Sequence, residues 1–191
     1  MDGMKDDLVL IKETIDGNKD AFAMLVEKYQ DRIFNYSYQL VGNKQDAEDI
    51  TQETFIKGYA HLRGFKIEYK LLSWLYTIAT NITKNRIKRN KIVCYNLDVP
   101  NVTDTGEMIR DVPDTRSDTP ESSVDKSVTA QLVSEMLGSL PDQYRPPFLL
   151  KHKEQLSYEE IAGILKLPVS TVKIRVYRAR EWLLKKYKDK V

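Results

Sequence analysis

The sequence predicts an all-α fold of two small helical domains joined by a flexible acidic linker, and three observations carry that expectation. From about residue 5 to 94, apolar side chains recur at helical spacing, with few glycines and no proline before Pro100. Residues 96–125 then gather Pro100, Gly106, Pro113 and Pro120 among Asp, Ser and Thr, a composition that buries too little apolar surface to offset the entropy of ordering. Helical periodicity returns at Val128, Leu132, Met136, Leu137 and Leu140 and persists to the C-terminus. The expected boundaries are 1–95 for the first domain, 96–125 for the linker and 126–191 for the second domain. Each domain is large enough for a modest helical core.

In the first domain, Asp46 to Leu62 is strongly amphipathic, with Ala47, Ile50, Thr54, Phe55, Gly58 and Leu62 on one side. The other side clusters Asp46, Asp49 and Glu53, with Gln52 and the apolar Ile56 beside them. Carboxylates alone make an ordinary solvated face. An isoleucine exposed among them is more consistent with a docking surface for a basic or mixed partner. No histidine, cysteine or glycine-rich loop accompanies these acids in a recognisable motif, and an open helix face offers no pocket in which a carboxyl pKa would be tuned for acid–base work. No catalytic residue is therefore assigned.

A second helix is expected from about Lys70 to Lys91, burying Leu71, Trp74, Leu75, Ile78, Ala79 and Ile82. Thr77, Asn81, Lys84, Lys88 and Lys91 form a stripe on its far side, three ammoniums, an amide and a hydroxyl that suit a phosphate backbone and one base edge. The loop before it mixes Arg63, Phe65, Lys66, Tyr69 and Lys70. Aromatics among cations suit single-stranded nucleic acid, where rings stack on bases and cations hold phosphates. Trp74 borders the apolar arc and reads as core, whereas Phe65 fits either a core or a stacking role.

In the second domain Pro141 begins a turn, and Pro146 and Pro147 should start or kink the segment through Phe148-Leu149-Leu150. Leu156 to Arg180 reads as a DNA-binding helix-turn-helix. Ser157 with Glu160 forms a capping box, and Ile161, Ile164 and Leu165 face a core. Leu167 and Pro168 stop that helix, and Ser170 or Thr171 is expected to cap the next one. In that next helix Val172, Val176, Ala179 and Leu183 form the apolar stripe. Ile174, Tyr177, Arg178 and Glu181 lie opposite, with Lys173 at the margin, as a helix reading a major groove requires. An ordinary solvated surface helix is the bland alternative; capping box, proline joint and basic face together favour the DNA reader.

Lys plus Arg (30) nearly balances Asp plus Glu (28), so total charge does not announce a polyanion partner. Its distribution does: Asp98 to Asp125 holds eight acids against Arg110 and Arg116, between a basic cluster at Lys84, Arg86, Lys88, Arg89 and Lys91 and another from Lys173 to Lys190. Cys94 is the single cysteine, which excludes a disulfide framework, and His61 and His152 sit in no zinc-ligand motif, so no metal or cofactor is expected. No apolar run approaches the length of a membrane span and the N-terminus lacks the apolar core of a signal peptide, which makes a reducing cytoplasm the default compartment.

Together these residues resemble the sigma-70 family of bacterial transcription initiation factors, specifically its small two-domain extracytoplasmic-function (ECF) group. Asp46-Ala-Glu-Asp-Ile-Thr-Gln-Glu-Thr-Phe-Ile56 is similar to the family's region 2.2, Phe65 through Asn81 with Ser73-Trp-Leu-Tyr-Thr-Ile-Ala79 to regions 2.3 and 2.4, and Leu140-Pro141 through Arg180 to region 4. The resemblance implies a factor, often serving a stress response, that binds core RNA polymerase at the β′ clamp coiled coil and the β flap. On that likeness Asp49, Gln52, Glu53 and Ile56 meet the coiled coil. Phe65, Asn81, Lys84 and Lys88 engage the minus-10 element, and Ser170, Thr171, Lys173, Ile174, Tyr177 and Arg178 the minus-35 element. It further implies a linker threaded near the polymerase active centre and an inhibitory anti-sigma partner. The sequence departs from the family pattern at Ser170, Ile174, Thr80 and Asn85. Ile174 removes a hydrogen-bonding group from the reading face, which shifts minus-35 preference toward thymine methyl contacts and DNA shape.

A different class of function is a free-standing helix-turn-helix regulator with an N-terminal ligand-binding domain. That reading needs a pocket where the sequence places an acidic face and an aromatic-basic loop. A nuclease or other enzyme lacks any metal-binding or nucleophile motif in the sequence.

Overall fold

The computed structural model describes residues 2–66, 68, 70–97, 133 and 135–188, and these contain helices and turns but no strand. Of the expected linker, 96–125, residues 96 and 97 form the end of a helix rather than linker, and the remainder lies outside the described residues, as do Tyr69 of the loop and the apolar residues Val128 and Leu132. Helix α1 spans Asp2–Ile15, α2 Lys19–Val41 and α3 Lys44–His61, followed by a 3-10 turn at Leu62–Gly64 and the long α4, Leu71–Leu97. The second unit contains α5 at Arg145–His152, α6 at Tyr158–Leu165 and α7 at Val169–Tyr187.

One tripeptide makes both of the first two joints. Gly17-Asn18-Lys19 and Gly42-Asn43-Lys44 each place glycine at positive φ (106° and 79°), a backbone state that costs residues with a Cβ. Each asparagine then caps the next helix. Asn18 accepts from the amides of Asp20 and Ala21, and Asn43 accepts from that of Asp46. These short joints fold α1, α2 and α3 back on one another, and α4 packs across α2 and α3.

The core of this unit matches the periodicity. Ala47, Ile50, Thr54, Phe55, Gly58 and Leu62 are all buried. Leu71, Leu75, Ala79 and Ile82 are buried too, while Trp74 and Ile78 are half-buried against the core. Two of the polar groups that share the interior find partners there: Tyr36 pairs with Thr80 of α4 at 2.8 Å, and Thr54 donates back to the Ile50 carbonyl at 2.6 Å. Tyr36 also meets Tyr76 edge-on, with ring centroids 4.9 Å apart.

In the second unit Pro146 and Pro147 start α5 rather than kink it, because first-turn amides have no intrahelical acceptor for proline to forfeit. The capping box of α6 is present: the Glu160 amide donates to Ser157 Oγ at 3.1 Å, and the Ser157 amide to Glu160 Oε2 at 2.9 Å. Lys166 ends α6 in the left-handed region at φ 53°. The expected cap of α7 by Ser170 or Thr171 is not what forms. Pro168, fixed at φ −58° with extended ψ, occupies the cap position, Val169 enters the helix, and Ser170 and Thr171 fall inside its first turn. The two units touch: α4 packs on α6 and α2 on α5, and the buried apolar residues form one continuous cluster.

Candidate nucleic-acid and docking interfaces

On α7 the sequence pattern translates directly into exposure. Val172, Val176 and Ala179 are buried and Leu183 half-buried, whereas Ser170, Lys173, Ile174, Tyr177, Arg178 and Glu181 are exposed and Thr171 is half-exposed. Ile174 and Tyr177 retain 51% and 64% of their surface, large for apolar side chains with no structural reason to face water. Lys173 leans back over the Tyr158 ring, its ammonium 5.7 Å from the centroid, and Lys151 approaches the same ring at 4.7 Å. This face offers charge, a phenol and an aliphatic surface at the spacing of a recognition helix.

On α4, Asn81, Lys84 and Lys88 are exposed as a row. Thr77 is half-buried, and its hydroxyl donates to the Ser73 carbonyl, which occupies its proton within the helix. Burial lowers the pKa of Lys84, and Arg175 of α7 adds like-charge repulsion. Arg86, counted from sequence in the basic cluster, turns away from that row. It binds Asp49 at 2.8 Å, Asp46 at 3.3 Å and the Asp46 carbonyl at 3.2 Å, tying α4 to α3. Phe65 is half-buried and packs on Trp74 with centroids 5.3 Å apart, so the ring joins the core margin while leaving part of its surface free.

The acidic helix face divides in two. Gln52 and Ile56 line an open groove of about 700 Å³ between α2 and α3, whose apolar wall comes from Phe22, Val26, Phe34, Phe55 and Tyr59. Asp31, Glu48 and Lys19 border it. Ile56 is 60% exposed there, an apolar side chain beside an unfilled apolar groove. Asp49 instead answers Arg86, and Glu53 pairs with Lys57 at 2.7 Å along the helix surface. The contribution of α2 to this groove was the signal missed from sequence. Phe22, Val26 and Phe34 form a second apolar stripe at spacings of four and eight, separate from the core stripe of Leu25, Tyr29, Ile33, Tyr36 and Leu40.

Among the described residues no group of three or more His, Cys, Asp or Glu side chains is arranged to hold a metal ion, and no helix is long and apolar enough to cross a membrane.

Comparison with known proteins matches residues 25–92 to the family model of Sigma-70 region 2 and residues 130–183 to that of Sigma-70, region 4. The chain is 38% identical over 179 residues to the ECF RNA polymerase sigma factor SigW of Bacillus subtilis, covering 94% of this chain and 95% of that one. It is 34% identical over 181 residues to the ECF RNA polymerase sigma-E factor of Haemophilus influenzae, covering 93% of each. Among solved structures, the sigma factor RpoE of Bartonella quintana, crystallised with the anti-sigma factor NepR, shares the fold. It has a TM-score of 0.69 and 23% identity over 88% of this chain and 97% of that one.

Proposed function

Because the chain belongs to the extracytoplasmic-function group of the sigma-70 family, we propose that the groove between α2 and α3 is its docking site on core RNA polymerase and that α4 and α7 are its two promoter readers. As a sigma factor it binds core polymerase and directs promoter-specific initiation. The observation that carries the residue assignment is the occurrence, on one chain, of an unfilled apolar groove bearing Gln52 and Ile56 and of a separate helix exposing Lys173, Ile174, Tyr177 and Arg178.

The groove suits a helical partner. Its walls are helices, its lining is largely aromatic and aliphatic, and Lys19, Asp31 and Glu48 bring both signs of charge to it, which fits the mixed charge of a clamp coiled coil. A free-standing regulator would place an enclosed ligand pocket in the first unit, and an open groove is a poor one. For the minus-10 element, Asn81 is assigned to a base edge, Lys84 and Lys88 to phosphates, and Phe65 to stacking with an unpaired base. For the minus-35 element, Arg178 and Lys173 supply charged donors, Tyr177 a phenol, and Ile174 a surface for thymine methyls, while Ser170 and Thr171 sit near phosphate in the first turn of α7. The chain makes no bonds itself; polymerase supplies the chemistry, and polymerase places the factor in the cytoplasm. A further partner is an anti-sigma protein that covers these surfaces, as NepR pairs with its own sigma factor.

The test is reconstitution: core polymerase, this chain and a library of promoter fragments. Promoter-specific transcripts that depend on the chain are expected. Their absence under every promoter tested overturns the reading.

A further inference from the structure

Asp7 of α1 is buried, with 6% of its surface exposed, and lines neither the groove nor a reading face. Its carboxylate is divided between consecutive residues of α2. The Lys28 ammonium meets Oδ1 at 2.7 Å, and the Tyr29 hydroxyl donates to Oδ2. The same ammonium lies 5.4 Å from the centre of the Tyr29 ring, so the three side chains close on one another. Burial, with Asp7 as the acceptor beside it, pushes the Tyr29 pKa far up, which keeps the phenol protonated and able to donate.

The helix does not need this charge in order to stick. Ile11 belongs to the core, and Leu8 and Leu10 pack against it. Apolar contact is non-directional, however, and holds a helix without fixing its rotation. Taking a carboxylate out of water is costly, and replacing a buried ion pair by packed apolar groups often leaves stability unchanged or raises it. The best-attested use of such a group is to set register. With a separate donor on each oxygen, Asp7 fixes both how far α1 lies along α2 and how it is turned.

That register reaches one promoter-facing side chain. Besides α2, α1 packs on the Leu62–Gly64 turn. Leu62 is 2% exposed, and its carbonyl accepts the Phe65 amide at 3.0 Å. The turn therefore hands the chain directly to Phe65, whose ring rests on Trp74.

We propose that Asp7 is a positioning residue for the minus-10 element: by tying α1 to Lys28 and Tyr29 it braces the Leu62–Gly64 turn and holds the Phe65 ring where an unpaired base stacks on it. The proposal rests on the assignment of Phe65 to that base. Asp7 touches no nucleic acid. It acts by preorganisation, since a loop already held in its bound geometry loses less freedom when the strand arrives.

The probe is a fluorescent single strand carrying the non-template minus-10 region of a promoter that the factor transcribes, titrated into the full chain assembled with core polymerase. Asp7→Leu combined with Tyr29→Phe removes the carboxylate and the hydroxyl while keeping apolar volume; Lys28, with 37% of its side chain exposed, turns to water. This double variant should bind the strand about three- to tenfold more weakly, as the competent fraction of loop conformers drops. Its helix content, its urea midpoint and its affinity for core should match or exceed those of the parent. Asp7→Asn, which keeps an acceptor for Tyr29, should lose less. Phe65→Ala should weaken the strand at least as much as the double variant, and adding the double variant to it should cost nothing further, because both act through one ring. A carboxylate that merely supports the fold would instead give additive losses. Unchanged strand affinity in the double variant, a further loss on top of Phe65→Ala, or a fall in helix content overturns the proposal while leaving the Phe65 assignment standing. Strand affinity indifferent to Phe65→Ala overturns that assignment, and this proposal with it.

Discussion

Gln52 and Glu53 adjoin in sequence but face different surroundings. Gln52 lines the apolar groove, whereas Glu53 lies on the open helix surface, paired with Lys57. Truncating Gln52 to Ala removes an amide from the groove without touching the core of α3, and should weaken core-polymerase binding by about 1–2 kcal/mol. Glu53→Lys reverses a charge beside the groove and should lower the association rate most at low salt. Fluorescence titration of labelled core measures both, with circular dichroism as the folding control; unchanged affinity for both variants removes the docking assignment. On α7, Arg178 is exposed on the reading face. Arg178→Ala should cost about 1–3 kcal/mol of minus-35 discrimination if it makes a bidentate base contact. Competition between cognate and scrambled minus-35 promoters, read in the holoenzyme, separates this from a phosphate contact, whose loss would weaken all sequences equally. The sequence pointed to these exposed side chains because helical period alone settles which face is dry. It could not show that Arg86 spends its charge on Asp46 and Asp49, since that depends on how α3 and α4 cross.

Individual elements were most legible where short-range chemistry decides them. The capping box at Ser157 and Glu160 and the buried stripe of α7 follow from spacing within one helix. The start of α7 was misassigned because serine and threonine are favoured caps in general, whereas Pro168 already holds the extended backbone that a cap position needs. The Gly-Asn-Lys joints carried an equally local signal that only the structure brought out. Glu160 joins element to tertiary contact: the bond from Lys70 chiefly lowers its pKa, partial burial opposes, and Ser157 assists. A carboxyl whose folded pKa is depressed stabilises the fold above its unfolded value, near 4.5, and loses that contribution as pH falls through the lower folded value. Glu160→Gln preserves the box geometry without the charge. The parent should exceed this variant in stability at neutral pH, with the gap closing as pH drops below about 4.5. Urea melts at stepped pH measure it; a gap independent of pH would show that the charge contributes nothing.

At the scale of the molecule, the two helical units and their cores were readable, but the contact between them was not. It rests on Arg32, Glu154, Tyr76 and Arg145, widely separated along the chain and each unremarkable in its own helix or turn. What the molecule does as a whole also sets its most demanding test. Two readers carried by one polymerase must meet their elements on compatible faces of one duplex, and B-form DNA turns once in about 10.5 base pairs. Inserting about five base pairs between the elements rotates one by half a turn and adds roughly 17 Å. Such a promoter should lose most of its transcription by this factor. Inserting a full turn should restore rotational phase but not distance, and so remain weak. If the half-turn insertion left transcript levels unchanged, α4 and α7 would not be reading the same promoter at once, and α7 would act as an independent DNA anchor.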